Sequence, residues 1–454
     1  MGDARTTAAF AGAFIVAALL WFGAFFAQLG EPSSISRWNH AIFEEKQAIA
    51  QATPGPRIVI AGGSGALYGV RARDLSRELG VPVINAGLHA GLGEEYYLHQ
   101  LGKLVRPGDT IVFALEYQMY MDLPDGPVLL DYMAARDPAF FASLAPARQA
   151  RDILAMTFGR LVNPFLTKSH APAVAPAPSL QSDTYLDRQG DTLGNAAVFK
   201  TDALRRSLEA LHPLRIRVDA PSVRRLVAFA RWARERHIGL LATHPNTIDY
   251  ADYYARPEIQ AQLEAVTRAH DAAGIPFVDG WRDTLFERGL FFDTIYHLDS
   301  VGATLRTHAL VERLRPFVSA RAWGAVAATP PSSHPLEVLD REFRFWEPLS
   351  GFGTVELAGP SQPVIAVAAP QARMVVRTLH ASAARLDARL RVAHGGEVRL
   401  MQDDHEAARW QLRASAEDQP IEAELALHAG DNRFSLVGAP GAVISRWRIE
   451  PDNP

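Results

Sequence analysis

The sequence predicts an α/β protein built on a flavodoxin-like parallel sheet flanked by helices, with an N-terminal transmembrane helix before it and a C-terminal antiparallel β-sandwich after it. Three observations carry that prediction. Ala8 to Leu29 holds no charged residue over 22 positions, short β-branched runs alternate with helix-spaced segments from residue 56 to about residue 317, and beyond residue 336 the apolar period falls to two. At 454 residues the chain is too long for one core, so several domains are expected.

A helix rises about 1.5 Å per residue, so the first apolar segment is long enough for a hydrocarbon core of ~30 Å. A cleavable signal peptide has a shorter apolar stretch and a small-x-small exit. The Ala-Phe-Phe-Ala-Gln exit here offers no such site, and residues 8–29 are read as an uncleaved single-pass anchor. Only Arg5 precedes the span while Arg37 and Lys46 follow it, so charge sets its orientation weakly. With no second span the remaining chain lies on one side. The absence of cysteine, with the chemistry below, favours the periplasmic side of an inner membrane.

Residues 30–55 read as a polar, partly helical stalk ending at Pro54-Gly55-Pro56. Arg57–Ala61 (RIVIA) is the first strand and Tyr68 to Leu79 has helical spacing. Val81–Asn85 (VPVIN) is the second strand, Glu94 to Val105 a helix, and Asp109–Leu115 (DTIVFAL) the third strand. From about 120 to 215 the alternation breaks into an insertion, with a helical Ala147–Leu161 and a Pro/Ala-rich stretch at 169–179. The helix Pro221 to His237, the strand Ile238–Thr243, a helix over 257–273, the strand Ile275–Val278 and a helix over 302–316 complete five parallel strands within a domain over 56–327. A linker at 328–335 leads to a sandwich domain over 336–454, where six period-two strands fall between Leu386 and Ile449. Trp346, Phe352 and Trp447 read as its core.

Hydrophobic residues at 48% and charged residues at 21% describe an ordinary folded protein. A formal charge of −4 and the lack of a basic stripe with interleaved aromatics argue against nucleic acid as a partner. Without cysteine there are no disulfides, thiol nucleophiles or thiolate zinc sites. No His, Asp and Glu set has metal-ligand spacing, so neither a metal nor another cofactor is expected.

Three segments carry candidate chemistry. Ser64 lies in Gly-Gly-Ser-Gly at the carboxyl end of the first strand, where open parallel sheets form their ligand crevice. There it is compatible with a nucleophile, a helix N-cap or a phosphate-cradling turn. The stretch Asn85 to Gly93 (NAGLHAGLG) follows the second strand; it suits either an oxyanion-binding loop or a plain strand-to-helix connection. Asp293 and His297 share one loop before the last helix, as an imidazole base with its carboxylate requires. Equally, Asp293 or Asp299 is placed to cap that helix. His89, His244 and Asn246 lie on loops at the same sheet edge and are candidates for substrate binding, as is the acid/aromatic cluster from Asp249 to Tyr254.

Taken together, AGGSGALYGV, PVINAGLHAGLG, FALEYQMY and FFDTIYHLDSVGATLRT resemble the SGNH (GDSL-type) hydrolase superfamily, and more narrowly a bacterial membrane-anchored SGNH-like group. The resemblance covers about residues 56–317. It implies Ser64 as nucleophile, His297 as base and Asp293 as the acid that orients it, with the N–H groups of Ser64 and Gly87 in the oxyanion hole. Three positions depart from the pattern. Glu116-Tyr117 stands where the superfamily usually has an oxyanion-donating Asn, Asp293 lies four residues before the His instead of two or three, and Gly65 replaces the Asn that follows the serine in the narrower group. Glu116 and Tyr117 are accordingly expected among the substrate-binding residues. Relatives in exopolysaccharide O-acetylation imply a serine-dependent acyl esterase or O-acyltransferase acting on an envelope or secreted polysaccharide, with polysaccharide-secretion or acetylation machinery as a partner. The departures keep a catalytically inactive, glycan-binding or scaffold protein as the alternative.

Overall fold

The computed structural model describes residues 2–33, 36–166, 185–197, 200, 202–213, 215–319, 323, 326, 332–343, 346–359, 362–378 and 381–451. The stretch 169–179 and the first half of the linker at 328–335 lie outside the described residues, as does the side chain of Trp346.

The first helix, α1 (Gly2–Ala27), contains a segment Thr6–Ala27 long and apolar enough to cross a membrane, with a mean hydropathy of 2.2. The expected stalk is instead a packed helix, α2 (Arg37–Ala52), whose Ile42, Phe43 and Ala50 belong to the same core as the sheet. Its Lys46 is buried and donates to the carbonyl oxygens of Asn85 at 2.7 Å and Gly190 at 2.9 Å. Burial pushes that ammonium down to about 7, against the pull of Asp191 and Asp187. Residues 37–52 are therefore part of the α/β unit.

That unit continues through β1 (Ile58–Gly62), α3 (Ser64–Gly69), α4 (Ala72–Leu79), β2 (Val83–Asn85), α5 (Glu94–Leu104) and β3 (Thr110–Ala114). The insertion supplies α6 (Pro127–Arg136), α7 (Pro138–Ser143), α8 (Pro146–Ala155), α9 (Phe158–Leu166) and α10 (Asp202–Glu209). Then come α11 (Ala220–Glu235), β4 (Gly239–Ala242), β5 (Thr247–Ile248), α12 (Asp252–Ala255), α13 (Pro257–Ala273), β6 (Leu285–Phe286) and α14 (Ser300–Val318). The main sheet is parallel with order β2-β1-β3-β4. β1 and β3 are buried at every position, because helices cover both faces, and so they read as unbroken apolar runs. The expected fifth strand reduces to a single parallel bridge between Ala242 and Phe277. Pro276 has no N–H to extend the ladder there. The expected helix from Tyr68 to Leu79 is two helices, broken at Val70-Arg71. Asp299 caps α14, accepting from Gly302 N–H at 2.8 Å.

A short helix, α15 (Pro335–Glu342), opens the C-terminal unit. Ten strands follow: β7 (Trp346–Ser350), β8 (Phe352–Gly359), β9 (Gln362–Val367), β10 (Gln371–Thr378), β11 (Ser382–Arg391), β12 (Gly396–Gln402), β13 (His405–Leu412), β14 (Gln419–Leu427), β15 (Gly430–Val437) and β16 (Val443–Pro451). They form two antiparallel five-stranded sheets, β13-β12-β15-β10-β7 and β14-β11-β16-β9-β8. Inward residues such as Leu386, Leu390, Leu436 and Trp447 are fully buried between them.

The two units meet through buried charge. Asp340 on α15 pairs with Arg71 at 3.0 Å and Arg73 at 2.5 Å, and it accepts from Ser300 Oγ at 3.1 Å. Arg71 and Asp340 side chains are 2% and 1% exposed, so neither is solvated without the other. Removing one partner of a buried pair typically costs about 3–5 kcal/mol. Asp340→Ala is thus expected to lower the melting temperature by several degrees, whereas Arg385→Ala, in an exposed pair with Glu422, leaves it unchanged. Parallel thermal melts of the two variants test this.

Candidate active site

β1 delivers the chain into the turn Gly62-Gly63-Ser64 at the carboxyl edge of the sheet. Ser64 is the first residue of α3 and is half-buried. The turn rests on Glu116, at the end of β3, whose carboxylate accepts from the N–H groups on either side of the serine: Gly63 at 2.8 Å and Gly65 at 2.6 Å. Glu116 is completely buried. Burial pushes its carboxyl up, while the two glycine N–H groups and the nearby His297 pull it down. A Cβ on Gly63 would sit 2.4 Å from both Glu116 oxygens, so only glycine fits. Glu116 therefore has no surface for a substrate; its task is to hold the serine turn. Among the described residues neither the Ser64 hydroxyl nor its N–H has a hydrogen-bond partner.

The histidine loop is closed by a bridge between Phe291 and Leu298 and by Phe292 N–H donating to His297 O at 3.1 Å. At its tip the Thr294 hydroxyl accepts from the N–H groups of Tyr296 and His297, each at 3.2 Å. This tight turn brings Asp293 back to His297, with Oδ1 2.7 Å from Nδ1 despite the spacing of four. A proton on Nδ1 held by Asp293 leaves Nε2 as the acceptor a general base needs. Asp293 is 47% exposed and His297 15%, so the pair faces solvent rather than the core.

Serine turn and histidine loop are fastened together. The His297 ring packs on Tyr68 with centroids 4.7 Å apart, and Tyr68 lies one helical turn beyond Ser64 on the same face of α3. Two buried amides bracket the histidine. Asn246 donates to Tyr296 O at 2.5 Å and lies against Gly69, where a Cβ would come within 2.4 Å of its Oδ1. Asn195, from the insertion, donates to both Leu298 O at 3.0 Å and Tyr68 O at 3.1 Å. Ser64 and His297 are not hydrogen-bonded to each other; in resting sites such bonds often tighten only with substrate bound. Sequence reasoning missed Asn195 entirely, and no local signal marks it. Asn246, expected to bind substrate, is buried and its amide is spent on the Tyr296 carbonyl. If Ser64 and His297 act as nucleophile and base, Asn195→Ala and Asn246→Ala lower kcat about 10-fold with KM little changed, since small misplacements of a base are costly. Steady-state kinetics on an acyl ester checks it.

Other expected site residues have different surroundings. The Gly87 N–H is already donated to the Asn85 side chain at 2.8 Å, and a Cβ on Gly87 would press into the backbone of Leu67. It is thus committed to the loop, which leaves the Ser64 N–H as the unengaged donor of the expected pair among the described residues. His89 is half-buried with its Nδ1 accepting from Gly91 N–H at 2.9 Å. Burial, then the charge of His297, pushes its pKa down. Tyr117 is buried, and so is His244, stacked on Phe277 at 4.1 Å. These two are core residues, joined by a 3.5 Å contact between Tyr117 Oη and His244 Nδ1. Tyr250 and Tyr253 are buried as well.

Burial and the charges of His270 and Arg306 push His244 down to about 3, and burial alone does the same to His270. Unfolded histidines titrate near 6.5, so between about pH 3 and 6.5 the unfolded chain binds two more protons at these sites than the folded one. Stability is complete above that window and falls as pH drops through it. His270→Phe is expected to reduce the slope of unfolding free energy against pH between 4 and 6 by about one proton; denaturant titrations at several pH values measure that slope.

A cleft of about 560 Å³ is lined by Ala90, Gly93, Tyr96, Met119, Arg148 and Arg225 among others, and neither Ser64 nor His297 lines it. The charged groups in the cleft are paired: Arg225 with Glu94 at 2.9 Å, and Arg148 with Asp125 at 2.8 Å and Glu95 at 2.6 Å.

No family model matches the chain, and no curated protein matches it. Similar solved structures include a GH26-CBM35 β-(1,4)-mannanase from Podospora anserina, 13% identical with a TM-score of 0.20 over 23% of this chain and 26% of that one. A family 35 carbohydrate-binding module from an environmental isolate is 17% identical with a TM-score of 0.21, over 23% of this chain and 88% of the module. A carbohydrate-binding module of a Cellvibrio mixtus lichenase, in complex with cellotriose, is 14% identical with a TM-score of 0.19, over 23% of this chain and 89% of the module. The chain spans about a quarter of the mannanase's length.

Proposed function

We propose that this protein is a serine-dependent acyl esterase or O-acyltransferase of the SGNH type, acting outside the cytoplasm on an envelope or secreted polysaccharide. The observation that carries the reading is the joined pair of loops: Asp293 holding His297, and His297 packed against the helix that Ser64 begins. Ser64 Oγ attacks the acyl carbonyl while His297 Nε2 takes its proton. The ester C–O bond then breaks, and His297 returns the proton to the departing sugar oxygen. Water, or a hydroxyl of a second sugar, attacks the acyl-serine with His297 again as base, releasing the acid or a new ester.

A specific observation favours a second reading. With the Gly87 N–H committed and Glu116 in place of an oxyanion donor, an inactive glycan-binding or scaffold protein fits the same fold. The deciding experiment gives the full chain in detergent p-nitrophenyl acetate and an O-acetylated exopolysaccharide. Release of acetate, or its transfer to an unacetylated glycan, supports the enzyme; glycan binding without either supports the second reading.

A further inference from the structure

The end of α1 is gripped by the insertion. The Trp21 indole N–H donates to Ile153 O at 2.8 Å, Phe25 packs on Phe141 with ring centroids 5.1 Å apart, and the Arg160 guanidinium donates to Gln28. Trp21 and Gln28 are seven residues apart, about 10 Å along a helix axis. Ile153 and Arg160 thus run alongside the final two turns of the apolar helix. Between them lies the corner from α8 to α9, Leu-Ala-Met-Thr-Phe-Gly over 154–159, without a charged residue. Leu154 is 62% exposed and Phe158 71%, among the most exposed large apolar side chains outside α1.

We propose that this corner is seated in the interface of the bilayer that α1 crosses, so that the α/β unit rests on the membrane surface instead of standing off it on a tether. The inference rests on α1 spanning the membrane and is independent of the ester chemistry. The occupant follows from continuity: an apolar corner fixed beside the last ~10 Å of a spanning helix lies at the depth of that helix end. Aqueous exposure of Leu154 and Phe158 would leave apolar surface wet, whereas an interface buries it without a protein partner.

The chain contains no cysteine, so single labels are unambiguous. Leu154→Cys, Phe158→Cys and the control Glu264→Cys, at a residue 65% exposed on α13, would each carry an environment-sensitive fluorophore. The full-length variants are reconstituted into phosphatidylcholine/phosphatidylglycerol vesicles containing lipids with a nitroxide near the top of the acyl chain, with aqueous iodide as the second quencher. The expected result is that labels at 154 and 158 are quenched several-fold more by the nitroxide than by iodide, with the reverse at 264. Equal iodide quenching at all three sites overturns the inference, as does a chain that fails to float with the vesicles. Protection at 154 and 158 from both quenchers overturns it in favour of a second protein copy as the covering partner.

Discussion

Replacing Ser64 with alanine is expected to remove ester turnover and leave the fold untouched. The Ser64 hydroxyl has no hydrogen-bond partner among the described residues and the side chain is half-buried, so its loss orphans no group. Stability should therefore stay within about 0.5 kcal/mol of the parent. Under the proposed chemistry turnover loses the atom that forms the acyl intermediate, and a fall in kcat of about 10⁴-fold or more is anticipated from nucleophile deletions in serine hydrolases. His297→Ala should come close to the same floor, because the hydroxyl is a weak nucleophile without its base. Asp293→Asn should cost less, since Asp293 is 47% exposed and water can take part of its role. Rates on p-nitrophenyl acetate, with a melting curve for each variant, separate this from misfolding. A Ser64→Ala protein that keeps its rate would move the chemistry elsewhere.

Glu116→Ala is expected to be strongly destabilising. It strips the acceptor from two buried N–H groups, each worth about 1–3 kcal/mol when left unpaired, and opens a cavity beneath Gly63. A destabilisation on the order of 3–6 kcal/mol follows. The serine turn then loses its seat, and turnover should fall even where folding survives. Glu116→Gln is milder, because the amide keeps the volume and one acceptor but sets an NH₂ against a glycine N–H. Urea unfolding measures the first effect. If Glu116 instead held substrate, Glu116→Gln would raise KM and leave stability alone.

What could be read from the sequence follows from the range of each interaction. The parallel strands were legible because β1 and β3 are buried on both faces and so are apolar throughout. Strands β11 to β16 were legible because each presents one face to the sandwich core and one to water, as Leu386 and Arg385 do. β10 was not: its burial runs on through Val375, Val376 and Arg377, the last paired with Glu347, and no period of two survives. The candidate triad was visible as motifs, yet the parts that position it were not. Glu116 read as an anomaly because its partners, Gly63 and Gly65, are more than fifty residues away. Asn195 reaches across more than a hundred residues to two carbonyl groups, and a single Asn in an irregular insertion leaves no trace of that. The stalk misled for a related reason. A helix with a lysine on its face reads as solvated, whereas Lys46 is buried against two carbonyl oxygens supplied from far along the chain.

The most direct test of an activated serine at this rim is covalent. The full-length chain is treated with a fluorophosphonate, digested, and the adduct located by mass spectrometry. One adduct per chain on the peptide that contains Ser64, abolished in His297→Ala, is the predicted result. No adduct at a concentration that saturates a control serine hydrolase, or an adduct on another residue, would contradict it.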